Sequence, residues 1–434
     1  NDRGHLLPRS DVTPARPLTW QASEGVDALV TLEANVGRLV QSATELGCGY
    51  EETWESLYRF LVDPAPYVTA DALNCSGNGS GQRCDRIRPT GVDEVLLAQR
   101  AEFLRPDSLL AVVILSNEND ASLKPVDLNW IPWGVEPRFA QLRGSSECRS
   151  IPDNLEPESV AVLRDFGCRS CLLEPDMPEC NTSWPSGVEP NVDSDNRNLR
   201  AFHQVQRFGY NFLYSRDRYV SAFRSPAAPL ADVTGSVTDP SGSPYRNPLF
   251  VGGRTPEQIV VATIVGAPRY LVENPDGTPK TPDWDKLVGP IGVRDPHMIE
   301  SIEMRAGIGK FNGDVRADDP ECPDGHGGCG NGGDRVIPGG GDLQFACIAE
   351  RSTLEVSPTN VDCPSGRDPV ESMPPSPLCG KPGEQPYFKA YPGLRHLRIA
   401  RELGSSAVVG SFCNPRMGSF LNSFARTLHA KAGH

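Results

Sequence analysis

The sequence predicts an α/β fold: a parallel sheet with helices on both faces, carrying long disulfide-stapled irregular insertions. Three observations predict it. Apolar runs of strand length occur at 109–115, 259–266 and 406–412. Segments with helical spacing of apolar residues lie around them. The runs are continuously apolar, as strands covered on both faces are.

Residues 1–22 are polar and proline-rich and read as an extended arm. Val26, Leu29, Val30, Leu32, Val36, Leu39, Val40 and Ala43 recur at helical spacing, with Ser23 as the expected N-cap. Gly47-Cys48-Gly49 breaks the chain. A second amphipathic helix follows, with Trp54, Leu57, Tyr58 and Leu61 on one face, ending before Pro64. Residues 64–92 read as a loop closed by Cys75 and Cys84, and a short helix near 93–103 leads into the first strand.

That strand, Leu109–Leu115, stops abruptly in Ser116-Asn117-Glu118-Asn119-Asp120. Ligands of open α/β sheets sit at the carboxyl ends of strands. The acidic loop is therefore a candidate metal or partner site. Regular signals then vanish for more than 100 residues. A stretch this long needs anchors, and Trp130, Trp133 and the cysteines at 148, 168, 171 and 180 are the candidates. A second irregular excursion, 268–386, separates the strand at 259–266 from the C-terminal part. There, Leu394, Leu397, Ile399 and Leu403 mark a helix, 406–412 a third strand, and Phe420, Leu421, Phe424 and Leu428 a terminal helix.

The chain thus divides into an arm (1–22), sheet-domain segments (23–120, 256–268 and 387–434), and two insertions (121–255 and 269–386). Three strands are few, and a three-stranded parallel sheet exposes its edges. Either further strands lie in the loops or protein outside this chain completes the sheet. The sheet is expected to be incomplete in this chain.

With 42 Gly, 41 Pro and only 38% hydrophobic residues, the 434-residue chain fits a small regular core with long loops. A net charge of -14 repels phosphate backbones, which argues against nucleic acid as a partner. No apolar run approaches the ~20 residues of a spanning helix. The opening Asn1-Asp2-Arg3-Gly4-His5 lacks signal-peptide features, so the sequence is expected to begin after a processing event.

Thirteen cysteines, most in Gly/Pro/Asn/Asp-rich stretches, point to disulfides and an oxidising, extracytoplasmic compartment. The odd number leaves one thiol free or paired with another chain. Asn74, Asn78 and Asn181 open Asn-x-Ser sequences, which matter only in a glycosylating host. Cys168-Arg169-Ser170-Cys171 reads as part of a structural disulfide framework. A redox pair would need a helix N-terminus, and zinc would need Cys148, Cys168, Cys171 and Cys180 as thiolates. The glycine-rich tract at 322–341, with Asp314, Asp318 and Asp319 nearby, offers a calcium site or a flexible closed loop. Support for catalysis is thin. His203, His297 and His396 are not spaced as metal ligands, and no Gly-x-Ser-x-Gly elbow is present. His297 and Glu300 suit an acid/base pair less well than a capped helix start after Pro296.

The order of helices, Gly-x-Gly turn, strands and acidic loop resembles the C-terminal half of a von Willebrand factor A (vWA) domain. The segments Gly47–Glu51, Phe103–Ser108, Leu115–Asp120, Arg246–Phe250, Asp295–Glu300 and Tyr391–Arg395 are similar to segments of large secreted bacterial proteins with this domain. The resemblance implies a metal-dependent adhesion site in three parts: Asp-x-Ser-x-Ser after a first strand, a Thr in the loop matching Gly47–Glu51, and an Asp directly after the fourth strand. A hard divalent cation, calcium or magnesium, would be held by oxygens with one position left for a partner's carboxylate.

Here Asn117 stands at the third position, Tyr50 and Glu51 replace the Thr, and the first strand and its motif are missing. Asp239-Pro240-Ser241-Gly242-Ser243 matches the motif literally, but Pro244 follows and no apolar strand precedes it. The expected cation set is therefore Glu51, Asn117, Glu118 and Asp120, a degenerate site; a solvated acidic loop and amide-mediated bracing of the neighbouring insertion are the alternatives. The strand–acidic loop pattern, the cysteine usage and the acidic surface point to a non-enzymatic, vWA-like protein-binding module for adhesion or assembly. Its expected partner is either another protein or the missing N-terminal part of the same polypeptide. One alternative is a structural subunit of a larger surface or membrane-attached complex. The other is a metal-dependent hydrolase using the acidic region 314–334.

Overall fold

The computed structural model describes residues 4–6, 17–41, 50–76, 83–125, 143–152, 155, 160–181, 204–226, 230–232, 235–236, 238, 241–300, 343–356, 378 and 384–432. Two compact units are present. The first comprises Asn1–Ser108, Ser122–Asn129 and Arg216–Gln258; the second comprises Leu109–Ala121, Trp130–Ser215 and Ile259–His434.

In the first unit, α1 spans Gly25–Gln41 and follows a 3-10 turn at Ala22–Glu24. Gln21, rather than Ser23, caps that turn: the Glu24 carboxylate accepts the Gln21 backbone N–H. Helix α2 (Thr53–Leu61) buries Trp54, Tyr58 and Leu61 of the expected face, together with Phe60, whereas Leu57, expected on the same face, is only half-buried. The segment read as a loop at 64–92 is instead an antiparallel hairpin, β1 (Thr69–Ser76) with β2 (Arg83–Thr90). Its polar residues show no apolar alternation. The register places Cys75 opposite Cys84, the pair expected to close this segment; their side chains lie outside the described residues.

Helix α3 (Glu94–Phe103) begins at Asp93, whose carboxylate accepts the Leu96 N–H at 3.1 Å. Arg100 reaches back from α3 to the carbonyls of Arg59, Phe60 and Asp63, satisfying acceptors left open at the end of α2. Arg254 does the same for Arg105, Ser108 and Leu249. It thereby ties together two of the segments that carry the vWA resemblance.

In the second unit, each apolar run forms a strand. They are β3 (Leu110–Leu115), β6 (Ile259–Val265) and β9 (Ala407–Ser411), with two minor strands of the first unit, β4 (Ala231–Asp232) and β5 (Gly235–Ser236), counted between them. The sheet is parallel, in the order β3-β6-β9. Central β6 is buried along its whole length. Other strands do lie in the excursions, but none of those described joins this sheet: β1–β2, β4–β5 and the hairpin β7 (Cys347–Val356) with β8 (Glu384–Ala390) are separate pairs.

Short helices punctuate the insertions: α4 (Val160–Asp165), α5 (Gln204–Phe208), α6 (Arg216–Arg224, in the first unit), α7 (Arg269–Val272) and α8 (Trp284–Val288). The C-terminal elements are α9 (Leu394–Leu403) and α10 (Met417–Lys431). Phe420 and Phe424 of α10 cover Val260, Ala262 and Ile264 of β6. Gly410 of β9 lacks a side chain where one would collide with the Phe420 ring, 2.5 Å from an added Cβ. Helix α9 packs on β6 and β9, and Gly393 before it meets Val265, which points to the opposite face. The sheet is therefore flanked by helices on both faces, as its continuous apolar runs predict.

The cysteine-rich loop is stapled as Cys148–Cys168 and Cys171–Cys180. The C-x-x-C cysteines thus bond to two different partners, which removes both the redox pair and the four-thiolate zinc site as readings. A third disulfide, Cys347–Cys413, joins β7 to the chain just beyond β9. Among the described residues no helix is long and apolar enough to cross a membrane.

Candidate functional site: the carboxyl end and the outer edge of β3

Three of the segments singled out in the sequence meet at the carboxyl end of β3. Asp120 is fully buried, and its Oδ2 accepts from Arg395 Nε at 2.8 Å; Arg395 is equally buried. A second Arg395 nitrogen donates to the Tyr214 carbonyl. Asn119 works in both senses. Its Oδ1 accepts the Arg395 backbone N–H at 3.0 Å, and its Nδ2 donates to Glu300 Oε1 at 3.1 Å. The Tyr391 N–H donates to the Asn117 carbonyl at 2.8 Å. The backbone closes in behind: a Cβ on Gly266, just past β6, would lie 1.8 Å from the Tyr391 oxygen.

His396 follows Arg395 and is fully buried. Burial, reinforced by repulsion from Arg395, pushes its pKa down to about 4 against a partial offset from Asp120, so the ring is neutral near pH 7. A guanidinium, not an imidazolium, neutralises Asp120.

The four residues of the expected cation set are placed differently from one another. Asp120 is buried against Arg395, Glu118 is half-buried and Asn117 is exposed. Glu51 belongs to the first unit and is exposed. Among the described residues, no group of three or more His, Cys, Asp or Glu side chains is arranged to hold a metal. The local chemistry does not fit calcium or magnesium at Asp120, because a cation there would face the Arg395 charge. The glycine-rich tract 322–341, the acidic region 314–334, Gly47–Cys48–Gly49, Trp130, Trp133 and His203 lie outside the described residues.

The His297 ring and backbone N–H both bond to Asp295, which caps the turn Pro296–Met298 and also accepts from Tyr270. These contacts hold the Asp295 carboxyl below its usual range despite burial.

Sequence reasoning missed Arg395 as the partner of Asp120. A signal was present. Arg395 and His396 occupy the first turn of α9, which contains no acidic residue. Cations there oppose the helix dipole, so they call for a carboxylate from elsewhere.

The outer edge of β3 is different. Leu110, Val112 and Ile114 are buried, whereas Ala111, Val113 and Leu115 are exposed, Val113 at 52% and Leu115 at 50%. In register, Ala111, Val113 and Leu115 lie beside Val260, Ala262 and Ile264, the β6 residues that α10 covers. The α10 layer therefore covers the central strand and leaves β3 open. Beyond β3 no described strand pairs with it. Comparison with protein-family models, curated proteins and solved structures finds no match to this chain.

Proposed function

We propose that this chain is an extracytoplasmic, vWA-like protein-binding module for adhesion or assembly. Its contact surface is the outer edge and open face of β3. One observation carries the reading: an edge strand of a parallel sheet presents Ala111, Val113 and Leu115 to solvent. Parallel sheets are stable when both faces are covered, and open apolar edges invite another chain. The three disulfides among the described residues support an oxidising compartment. At the strand end, Arg395 supplies the positive charge that a cation supplies in the adhesion site the family resemblance implies. The module then binds by apolar burial and strand pairing rather than through a metal-bridged carboxylate.

The test is hydrogen exchange at Leu110–Leu115, in the isolated chain and in native material from the source. The expected result is rapid exchange of the outward β3 amides in the isolated chain and protection in the native material. Equal exchange in both would overturn the reading.

A further inference from the structure

The sequence reads as an extended arm over residues 1–22, yet Gly4, His5 and Leu6 lie against α2 and α3, within the first unit. Each of the three meets a different group. A Cβ on Gly4, whose φ is +80°, would lie 3.2 Å from the Ser56 carbonyl oxygen and 3.4 Å from Arg59 Cβ, both on α2. His5 Nε2 lies 2.7 Å from Asp93 Oδ2, at the start of α3. The Leu6 N–H donates to Gln99 Oε1 of α3 at 3.0 Å. We propose that Gly4–Leu6 is a pH-sensitive strap, held on α2 and α3 while His5 is protonated and loosened once the ring is neutral. The strap is confined to the first unit and does not rest on the β3 contact surface.

The Asp93 carboxylate serves two elements at once. Its Oδ1 accepts the Leu96 N–H and caps α3, and its Oδ2 takes the His5 ring. The cap already fixes this carboxylate, so the ring meets a preorganised partner and less side-chain freedom is lost on pairing. The His5 and Asp93 side chains are 27% and 8% exposed, so the pair is screened less than one in open water. Burial pushes the Asp93 carboxyl up, but the Leu96 N–H, His5 and Arg59 together hold it below its usual range. It therefore stays ionised between about pH 5 and 8, where an imidazole ordinarily changes charge. Only the histidine side of the pair switches there.

The surrounding charges set the direction. Arg59, whose stem lies beside Gly4, is a like charge to protonated His5 and stacks over the Tyr67 ring at 4.0 Å. The N-terminus of α3 is also positive. Arg100 is turned to the carbonyls of Arg59, Phe60 and Asp63, and Glu55 is taken by Arg218. Glu94 and Glu102 of α3 are exposed, where water screens them. Asp93 is thus the carboxylate that holds His5. A neutral ring keeps a hydrogen bond to it but loses the charge-assisted part, roughly half of the attraction.

The test is hydrogen exchange of the Leu6 amide in the full chain carrying isotope-labelled leucine. Its rate at each pH is divided into that of an unstructured peptide of the same local sequence, which removes the ordinary pH dependence of exchange. The wild type is expected to lose protection at least threefold, as an order-of-magnitude figure, between about pH 5.5 and 8.5. His5→Gln keeps a donor but carries no charge, and is expected to flatten the profile. Asp93→Asn keeps the α3 cap, because asparagine caps as well as aspartate. It leaves protonated His5 facing Arg59 and the helix N-terminus alone, so the profile should flatten or reverse. Gly4→Ala disturbs the approach to Ser56 without touching either charge. It should lower protection at acidic pH and leave the direction of the pH change as it is. Circular dichroism checks that each variant is folded. A Leu6 amide without protection at any pH would overturn the strap. Equal protection at both ends of the range, or a wild-type profile that survives His5→Gln and Asp93→Asn, would overturn its control by this pair.

Discussion

The carboxyl end of β3 and its outer edge come from one segment, Leu110–Asp120, yet they differ in every physical respect. At the end, Asp120, Asn119 and Arg395 are joined by charge-assisted and backbone hydrogen bonds with the central pair out of water. Along the edge, Val113 and Leu115 stand half-exposed with no described strand beyond them. The contrast teaches that an acidic loop at a strand end need not be the working surface. Here the polar groups hold the sheet to α9, and the surface left open is apolar.

The largest expected effect breaks the locked end. Asp120→Ala leaves the Arg395 charge buried without its carboxylate. Removing one partner of a buried pair costs about 3–5 kcal/mol, read as a lower urea midpoint. Millimolar calcium or magnesium should not restore that stability. Rescue by either ion would instead make Asp120 a cation ligand.

Acidification sharpens the same side of the comparison. The folded pKa of His396 is depressed to about 4 from 6.5. Its contribution to stability is therefore complete above pH 6.5 and is lost as pH falls towards 4, by about 3 kcal/mol in all. Glu55 and Asp63 in the first unit act in the opposite sense. Burial raises both pKa values, more than Arg218 lowers them, so these groups favour the folded state increasingly as pH falls. The difference between wild type and His396→Gln isolates the histidine. A pH profile unchanged by that substitution would contradict its buried, neutral state.

The smallest effect concerns the open edge. Val113→Asp should change stability by less than about 1 kcal/mol, because the side chain is half in water already. A loss comparable to that of Asp120→Ala would mean that the edge is part of the core.

Legibility in the sequence followed from locality. The apolar runs marked β3, β6 and β9 within a residue or two, because strand burial is written in consecutive residues. Helix α10 and three buried positions of α2 (Trp54, Tyr58 and Leu61) were legible from their spacing for the same reason, whereas buried Phe60 was not. The β1–β2 hairpin was not: Asp71, Arg86 and Arg88 give it a polar composition that reads as loop. The C-x-x-C illustrates the limit for side chains. Its position in a cysteine-dense loop indicated structural disulfides, but only the tertiary arrangement paired Cys168 with Cys148 and Cys171 with Cys180.

The sequence by itself determined that a parallel α/β sheet forms, that its strand at 110–115 ends in a polar cluster, and that three strands leave an edge. These follow from local composition and from periodicity, which need no distant partner. Only the tertiary structure decided what the polar cluster does. Asp120 and Arg395 are 275 residues apart, and no local pattern states that the guanidinium of one helix will neutralise the carboxylate of a distant loop. Likewise, the run Leu110–Leu115 reads as buried on both faces. Which face stays open depended on where α10 packs, a choice made by Phe420 and Phe424 settling on the central strand.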